Sequence, residues 1–223
     1  MSAGSSINSL EGAATRAFQQ LAGAADEFER YAHPHAARIA RIADELARAF
    51  HMAPQDRKSL QAAALLHDLG EVAMERDYIQ RAGQLTEEER LDLKRHPVIG
   101  EQESARAGAD RAVQLLVRWH HEWWNGCGYP DALQRREIPL AARILRLADT
   151  YAALTEARPF RAALTEAEAR KKVIENAAIE FDPKVVLAFL SLPAMEELQS
   201  FFQAQQDAPD PAQEGSLFSS FTT

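Results

Sequence analysis

Leu65-Leu66-His67-Asp68-Leu69-Gly70 is the stretch around which the chain is organised. An apolar segment with helical spacing, Ser59 to Leu66, runs into a histidine, an aspartate and a glycine that can end a helix. Consecutive helical side chains point about 100° apart. His67 and Asp68 therefore cannot both face the core squarely, but they can flank a small object at the helix end. A divalent cation is such an object, since imidazole nitrogen and carboxylate oxygen together suit Zn, Fe, Mn or Ni. Alone, such a pair is more often a cap beside a satisfied histidine, so the rest of the chain decides.

The 223 residues are enough for one well-buried domain. Hydrophobic residues at 46% and charged residues at 26% make an ordinary globular balance. A net charge of −8 argues against a broad nucleic-acid face, which needs clustered Lys and Arg, yet leaves room for a small anion in a local site. The single cysteine, Cys127, excludes an internal disulfide and fits a reducing compartment. No apolar run reaches membrane-spanning length, and no basic segment followed by an apolar one opens the chain. The expected location is the cytoplasm, with no membrane and no nucleic-acid polymer as partner.

Outward from the central stretch, the pattern is helical throughout and predicts an all-α fold. Ile7, Leu10, Ala14, Ala17, Leu21, Ala24 and Phe28 recur at alternating spacings of three and four, a heptad seam on an N-terminal amphipathic helix over residues 1–30. It packs on its own domain or, in the sharper reading, makes a homodimer contact or is a stub that joins a sensor domain in relatives. His35 sits one turn before Ile39 on the stripe Ile39, Ile42, Leu46, Phe50 and so points inward. Pro54 starts the helix that ends in His67-Asp68. Thr86-Glu87-Glu88-Glu89 and Thr165-Glu166-Ala167-Glu168 are capping boxes. Pro97 opens a helix that Gly108 closes, and Val113, Leu116, Val117 and His120 share a face of the next. Glu122 to Pro139 reads as an ordered loop, because its aromatics would be costly to leave in water. Ile138 to Leu154 returns to helix, with Asp149 inward. The main domain runs over 31–206, and 207–223 read as a disordered tail.

Of seven histidines, His51 reads as a bystander and His33 is undecided. His35, His67, His96, His120 and His121 each fall at a helix terminus or on an inward face. With Asp68 and Asp149 they offer five imidazoles and two carboxylates. A pair of divalent ions sharing one carboxylate would use that set. Singly, each of these residues is a core group with one hydrogen bond; jointly they are hard to explain without a cation.

The ordered string His35-Ala36-Ala37-Arg38-Ile39, His67-Asp68-Leu69-Gly70, His96-Pro97-Val98-Ile99-Gly100, His120-His121-Glu122, Gly128-Tyr129-Pro130 and Ala148-Asp149 resembles the HD-GYP domains, a bacterial branch of the HD metal-dependent phosphohydrolases. Arg158-Pro159-Phe160-Arg161 and Phe181-Asp182-Pro183 resemble later segments of the family, and the likeness covers roughly Tyr31 to Leu192. It implies an HD-type helical bundle around two divalent metals, Fe or Mn foremost, that hydrolyses cyclic di-GMP or a related cyclic dinucleotide through a metal-activated hydroxide. Carried over, His35, His67, Asp68 and Asp149 would hold one metal. Asp68, the candidate catalytic residue, would bridge to a second held by His96, His120 and His121. Arg158 and Arg161 would contact the substrate, with Tyr129 on the site wall. Diguanylate cyclases and other signalling proteins are partners the resemblance suggests.

The chain departs from that family at four positions. Glu71 replaces a lysine that reaches a substrate phosphate, and a carboxylate there repels a phosphodiester. Asn125, Ala152 and Tyr31 replace two aspartates and a glutamate, and the last change implies two metals at most. A catalytically silent interaction module and an HD-type di-iron oxygenase are the competing readings. Six arginines against three acids between Arg135 and Arg161 make a local positive zone, in which Arg143 and Arg146 are expected on a solvated helix face.

Overall fold

The computed structural model describes residues 3–81, 83–157 and 162–193, with side chains from residue 12 onward. The expected tail over 207–223, the helix expected to end near Gln206, Arg158 and Arg161 lie outside the described residues. The regular structure among the described residues is helical: α1 (Ala3–Phe28), α2 (His35–Ala49), α3 (Pro54–Leu66), α4 (Leu69–Met74), α5 (Asp77–Gln80), α6 (Glu87–Leu93), α7 (His96–Arg106), α8 (Arg111–Trp119), α9 (Leu140–Leu154), α10 (Glu166–Glu175) and α11 (Pro183–Ser191). There is no strand among the described residues, only an isolated bridge between Ala177 and Phe181.

Local chemistry accounts for most helix ends. Pro54 takes the first turn of α3, where its missing N–H costs nothing. Thr86 and Thr165 each accept from the backbone N–H three residues on, while Glu89 and Glu168 reach back to the cap. Asp110 accepts from Val113 N at 2.9 Å and starts α8.

The core forms where α2, α3, α8 and α9 pack together. Ile39, Ile42 and Leu46 of α2, Leu60 and Leu66 of α3, Val117 of α8, and Ile144, Leu145 and Leu147 of α9 are buried there. Each such side chain stabilises the fold by about 1.5–3 kcal/mol before entropy is charged against it. Phe189 of α11 meets Tyr151 of α9 edge-on at 4.7 Å.

Three expectations need correction. Gly70 does not end the helix of the central stretch. The chain turns at His67 and Asp68, then restarts as α4 with Gly70 inside it. A Cβ at Gly70 would lie 2.0 Å from the His96 carbonyl oxygen and 2.7 Å from Gly100 N, so the glycine is there for close approach of α4 to α7.

Among its described side chains the heptad seam of α1 is only partly covered: Leu21 and Phe28 are half-buried, and Ile7 and Leu10 lie outside the described side chains. Phe18, Ala22, Ala25, Asp26 and Glu29 are buried, while Ala14, Ala17 and Ala24 are exposed. The helix packs on α2, α3 and α4 through a neighbouring face. Its acidic members are tolerated because they meet polar partners; the Asp26 carboxylate accepts from Ala36 N at 3.1 Å, at the start of α2.

Arg143 and Arg146 are not solvated. Their side chains are 15% and 13% exposed, and both pair with acids from the α10–α11 region. Arg143 is bonded to Asp182, and the ends of α9 and α11 are thereby tied together.

Candidate metal centre

Three of the histidines are fixed by one device. His67 caps the C-terminal end of α3 and its Nδ1 lies 3.0 Å from the Ala64 carbonyl oxygen. His96 opens α7 with Nδ1 2.8 Å from Leu93 O, and His120 follows α8 with Nδ1 2.6 Å from Val117 O. A carbonyl can only accept, so each Nδ1 carries the proton and each neutral ring keeps its lone pair on Nε2. His35, first residue of α2, gives its Nδ1–H instead to Glu156 Oε2 at 2.6 Å. Arg38 braces that carboxylate through Glu156 Oε1 at 3.2 Å, and Tyr31 stacks on the His35 ring at 3.8 Å.

These rings converge with Asp68, Asp149 and His121 in two adjacent groups. His35, His67 and Asp149 form one; Asp68, His96, His120 and His121 form the other. Within each group the ligand atoms lie within 4.8 Å of one another. Asp68 stands between them, Oδ2 2.8 Å from His67 Nε2 and Oδ1 3.4 and 3.7 Å from Nε2 of His96 and His120.

The donor atoms fit a cation. Nε2 of His35 and of His67 are buried with no satisfactory hydrogen bond, and Asp149 Oδ1 lies 3.9 Å from both. Nε2 of His96 faces Nε2 of His120 at 3.3 Å. With both protons on Nδ1, two lone pairs point at each other, an arrangement that a shared ion relieves. These groups can hold divalent metals.

Electrostatics separate the two groups. Burial works against charge on His67, yet the carboxylates of Asp68, Asp149 and Glu29 carry its pKa up to about 10. Burial likewise works to raise Asp68, but His67, His120 and His96 hold it well below the usual carboxylate range. His96 is pulled down to about 4, by burial first and by His120 and His67 against the pull of Asp68. Glu71 is buried and raised well above the usual glutamate range, by burial and by Glu29, Asp68 and Asp149. The repulsion expected from its charge is therefore reduced, since the neutral acid is favoured.

The loop after α8 closes the site. Glu122 is buried and accepts from Asp131 N at 2.6 Å and Leu133 N at 3.0 Å. A Cβ at Gly128 would fall 2.2 Å from Trp123 N, so only glycine lets the loop fold back on itself. Tyr129 is thereby laid over His121, centroids 4.8 Å apart and 24° from parallel. Beyond it lies a cleft of 470 Å³ whose lining includes Lys94, Val98, Ile99 and Gln102.

All seven residues expected to ligate metal are thus together, while His33 and His51 are exposed. Sequence reasoning missed Glu29, Glu156 and Arg146. Arg146 stands three residues before Asp149 on the same helix, a spacing that predicts a shared face. Glu29 continues the buried spacing of Ala22 and Ala25 on α1. Glu156 lies past the end of α9, where periodicity gives no signal.

The profile of the HD domain family matches residues 22–185. The chain belongs to the HD domain family. Within it, the chain is 39% identical over 140 residues to a cyclic di-GMP phosphodiesterase of Vibrio cholerae, covering 60% of this chain and 28% of that protein. It is 33% identical over 188 residues to the cyclic di-GMP phosphodiesterase response regulator RpfG of Xanthomonas campestris, covering 83% and 50%. Among solved structures, a cyclic GMP-AMP specific phosphodiesterase of Vibrio cholerae superposes with a TM-score of 0.63 at 20% identity, covering 88% of this chain and 51% of that one. The HDG"Y"P protein Bd1817 of Bdellovibrio bacteriovorus gives 0.58 at 23%, covering 70% and 50%. These two likenesses establish the helical HD fold, and the sequence relatives agree with the HD-GYP resemblance. The chain spans half or less of the length of these curated relatives. No described helix is long and apolar enough to cross a membrane.

Proposed function

We propose that this chain is a metal-dependent phosphodiesterase that opens a cyclic dinucleotide, cyclic di-GMP foremost. The observation that carries the reading is Asp68, whose two oxygens face the two histidine groups. His35, His67 and Asp149 would hold one divalent ion, and Asp68, His96 and His120, with His121 beside them, a second. Fe or Mn is the expected metal, and the donor set also accepts Zn or Ni. Bound there, the ions would lower the pKa of a water and neutralise the phosphodiester and the leaving alkoxide.

The chain's own residues do the positioning. Asp68 keeps the two groups in register, and Glu156 fixes the His35 ring so that Nε2 faces inward. Tyr129 walls the site, and the cleft beyond it, with Lys94 near the Tyr129 ring, leaves room for the rest of a nucleotide. Arg158 and Arg161 are the substrate contacts that the resemblance supplies. The relatives named as cyclic di-GMP phosphodiesterases support the substrate class. Cytoplasmic location, contact with diguanylate cyclases, and pairing of two copies through the seam of α1, whose Ala14, Ala17 and Ala24 are exposed, belong with this reading.

The test is turnover. The chain, loaded anaerobically with Fe(II) or Mn(II), converts cyclic di-GMP to the linear dinucleotide, read by chromatography. No product with either metal at high enzyme concentration overturns the reading. A second reading, a binding module without turnover, is favoured by one observation, the buried acid Glu71 beside the second group, its Oε1 3.9 Å from His96 Nδ1. It predicts that cyclic di-GMP binds and is left intact.

A further inference from the structure

A neutral imidazole has one N–H and one lone pair. His96 and His120 place the proton on Nδ1 and turn the lone pair to the site. His121 is arranged the other way. Arg146 Nη1 lies 2.8 Å from His121 Nδ1. A guanidinium has donors only and keeps its charge, so His121 Nδ1 must accept, and the ring proton belongs on Nε2. A cation and Arg146 therefore compete for the only lone pair this ring has.

Arg146 is built into that place. Its side chain is 13% exposed, its Nη2 reaches Glu180 Oε1 at 2.6 Å, and its Nη1 also reaches Asp149 Oδ2 at 3.2 Å. Glu180 is held in turn: its side chain accepts from Thr150 Oγ1 at 3.2 Å, and its backbone carbonyl accepts from Trp124 N at 3.0 Å. The arginine is thus fixed from α9, from the segment between α10 and α11, and from the loop that carries Tyr129. Withdrawing it from His121 would leave a buried charge with fewer partners, which is costly.

We infer that His121 is not a metal ligand in this chain: Arg146 occupies its Nδ1 lone pair, and the ring presents Nε2–H to the site as a hydrogen-bond donor for an anionic phosphodiester oxygen. The second ion is then held by Asp68, His96 and His120. This inference rests on the metal reading above, and it makes Arg146 a positioning residue that acts through His121.

Two measurements test it. Nitrogen NMR of the metal-free protein shows the Nε2–H form for His121 against the Nδ1–H form for His96 and His120; an Nδ1–H form for His121 overturns the inference. This first readout needs neither metal, substrate nor a variant. The second is Mn(II) binding to the full chain by equilibrium dialysis, in which losing a true ligand costs at least the roughly 10–100-fold typical of a residue that only supports one. His120→Ala meets that cost for the second ion, whereas His121→Ala leaves its affinity nearly unchanged. Arg146→Met tightens Mn(II) binding, and adding His121→Ala removes that gain. A loss in His121→Ala equal to that in His120→Ala overturns the inference while the metal reading stands. Wild-type protein that binds no Mn(II) overturns both.

Discussion

The two histidine groups use the same kinds of ligand, share Asp68, and sit in different electrostatic surroundings. Around His35, His67 and Asp149 the neighbours are acids: Glu156 behind His35, Asp68 beside His67, and Glu29 close enough to raise it. Around His96, His120 and His121 other imidazoles and the Arg146 guanidinium join the acids Asp68 and Glu71, and Glu71 is itself pushed toward its neutral form. The first group therefore favours a proton on His67, and the second disfavours one on His96 and His121. An ion entering the first group displaces a proton. An ion entering the second meets the Nε2 lone pairs of His96 and His120 already turned inward. Ligand identity alone does not set the character of a metal site; the charges packed behind it do.

The sharpest way to break this comparison is to remove what joins the two groups. Asp68→Ala is expected to lower turnover by roughly a thousandfold, the scale of losing one charge-stabilising group, and to reduce bound Mn(II) at both groups. A loss confined to one group would mean that Asp68 does not bridge. Next in size is Gly70→Ala. The new methyl would strike the His96 backbone and push α7 away from α4, so unfolding by urea should show a loss of about 3 kcal/mol, the upper range for overpacking.

Glu156→Gln sharpens the contrast itself. It removes the carboxylate behind His35, and the first group alone should lose affinity for Mn(II) by roughly 10–100-fold. No equivalent side chain can be deleted behind His96 or His120, whose Nδ1 protons go to the backbone.

A further contrast lies in the pH dependence of the metal-free protein, where the two groups should slope in opposite directions. His67 has its folded pKa raised to about 10. Its contribution is fully present below the unfolded value of about 6.5 and is lost as pH rises through about 10. His96 is lowered to about 4. Between about 4 and 6.5 the unfolded chain takes up a proton that the fold refuses, so stability falls as pH drops through that window. Urea midpoints of wild type against His67→Gln and His96→Gln, taken across pH 4 to 10, would read both slopes; parallel curves would erase the distinction between the groups.

Much of this was legible in the chain itself. The capping boxes and the proline helix starts are local signals that the structure has where spacing puts them, and of the stripe Ile39, Ile42, Leu46, Phe50 the first three are buried while Phe50 caps the helix half-buried. The inward positions of His35, His120 and Asp149 follow from the same periodicity, and His96 was legible only as a helix-terminal residue before Pro97. Less was legible where several faces compete. The small residues of α1 allow more than one stripe, and the packing of α3 and α4 chose Phe18, Ala22, Ala25 and Glu29. Gly70 could have been a helix stop, and only the nearness of the α7 backbone shows why it must lack a side chain. Arginines in a helix are usually solvated, and nothing local to Arg146 announces the acid at 180 that holds it in.

What the sequence determined, then, was the set of helices and the small group of imidazoles and carboxylates that point into them, because turn chemistry and a 3.6-residue repeat are properties of neighbouring residues. What the tertiary structure decided was which nitrogen of each ring faces the site, whether Glu71 favours charge, and which arginine reaches His121. Those depend on carbonyls, acids and a guanidinium brought from distant segments, and the electrostatic field at a buried ring is a sum over neighbours in space rather than neighbours in the chain.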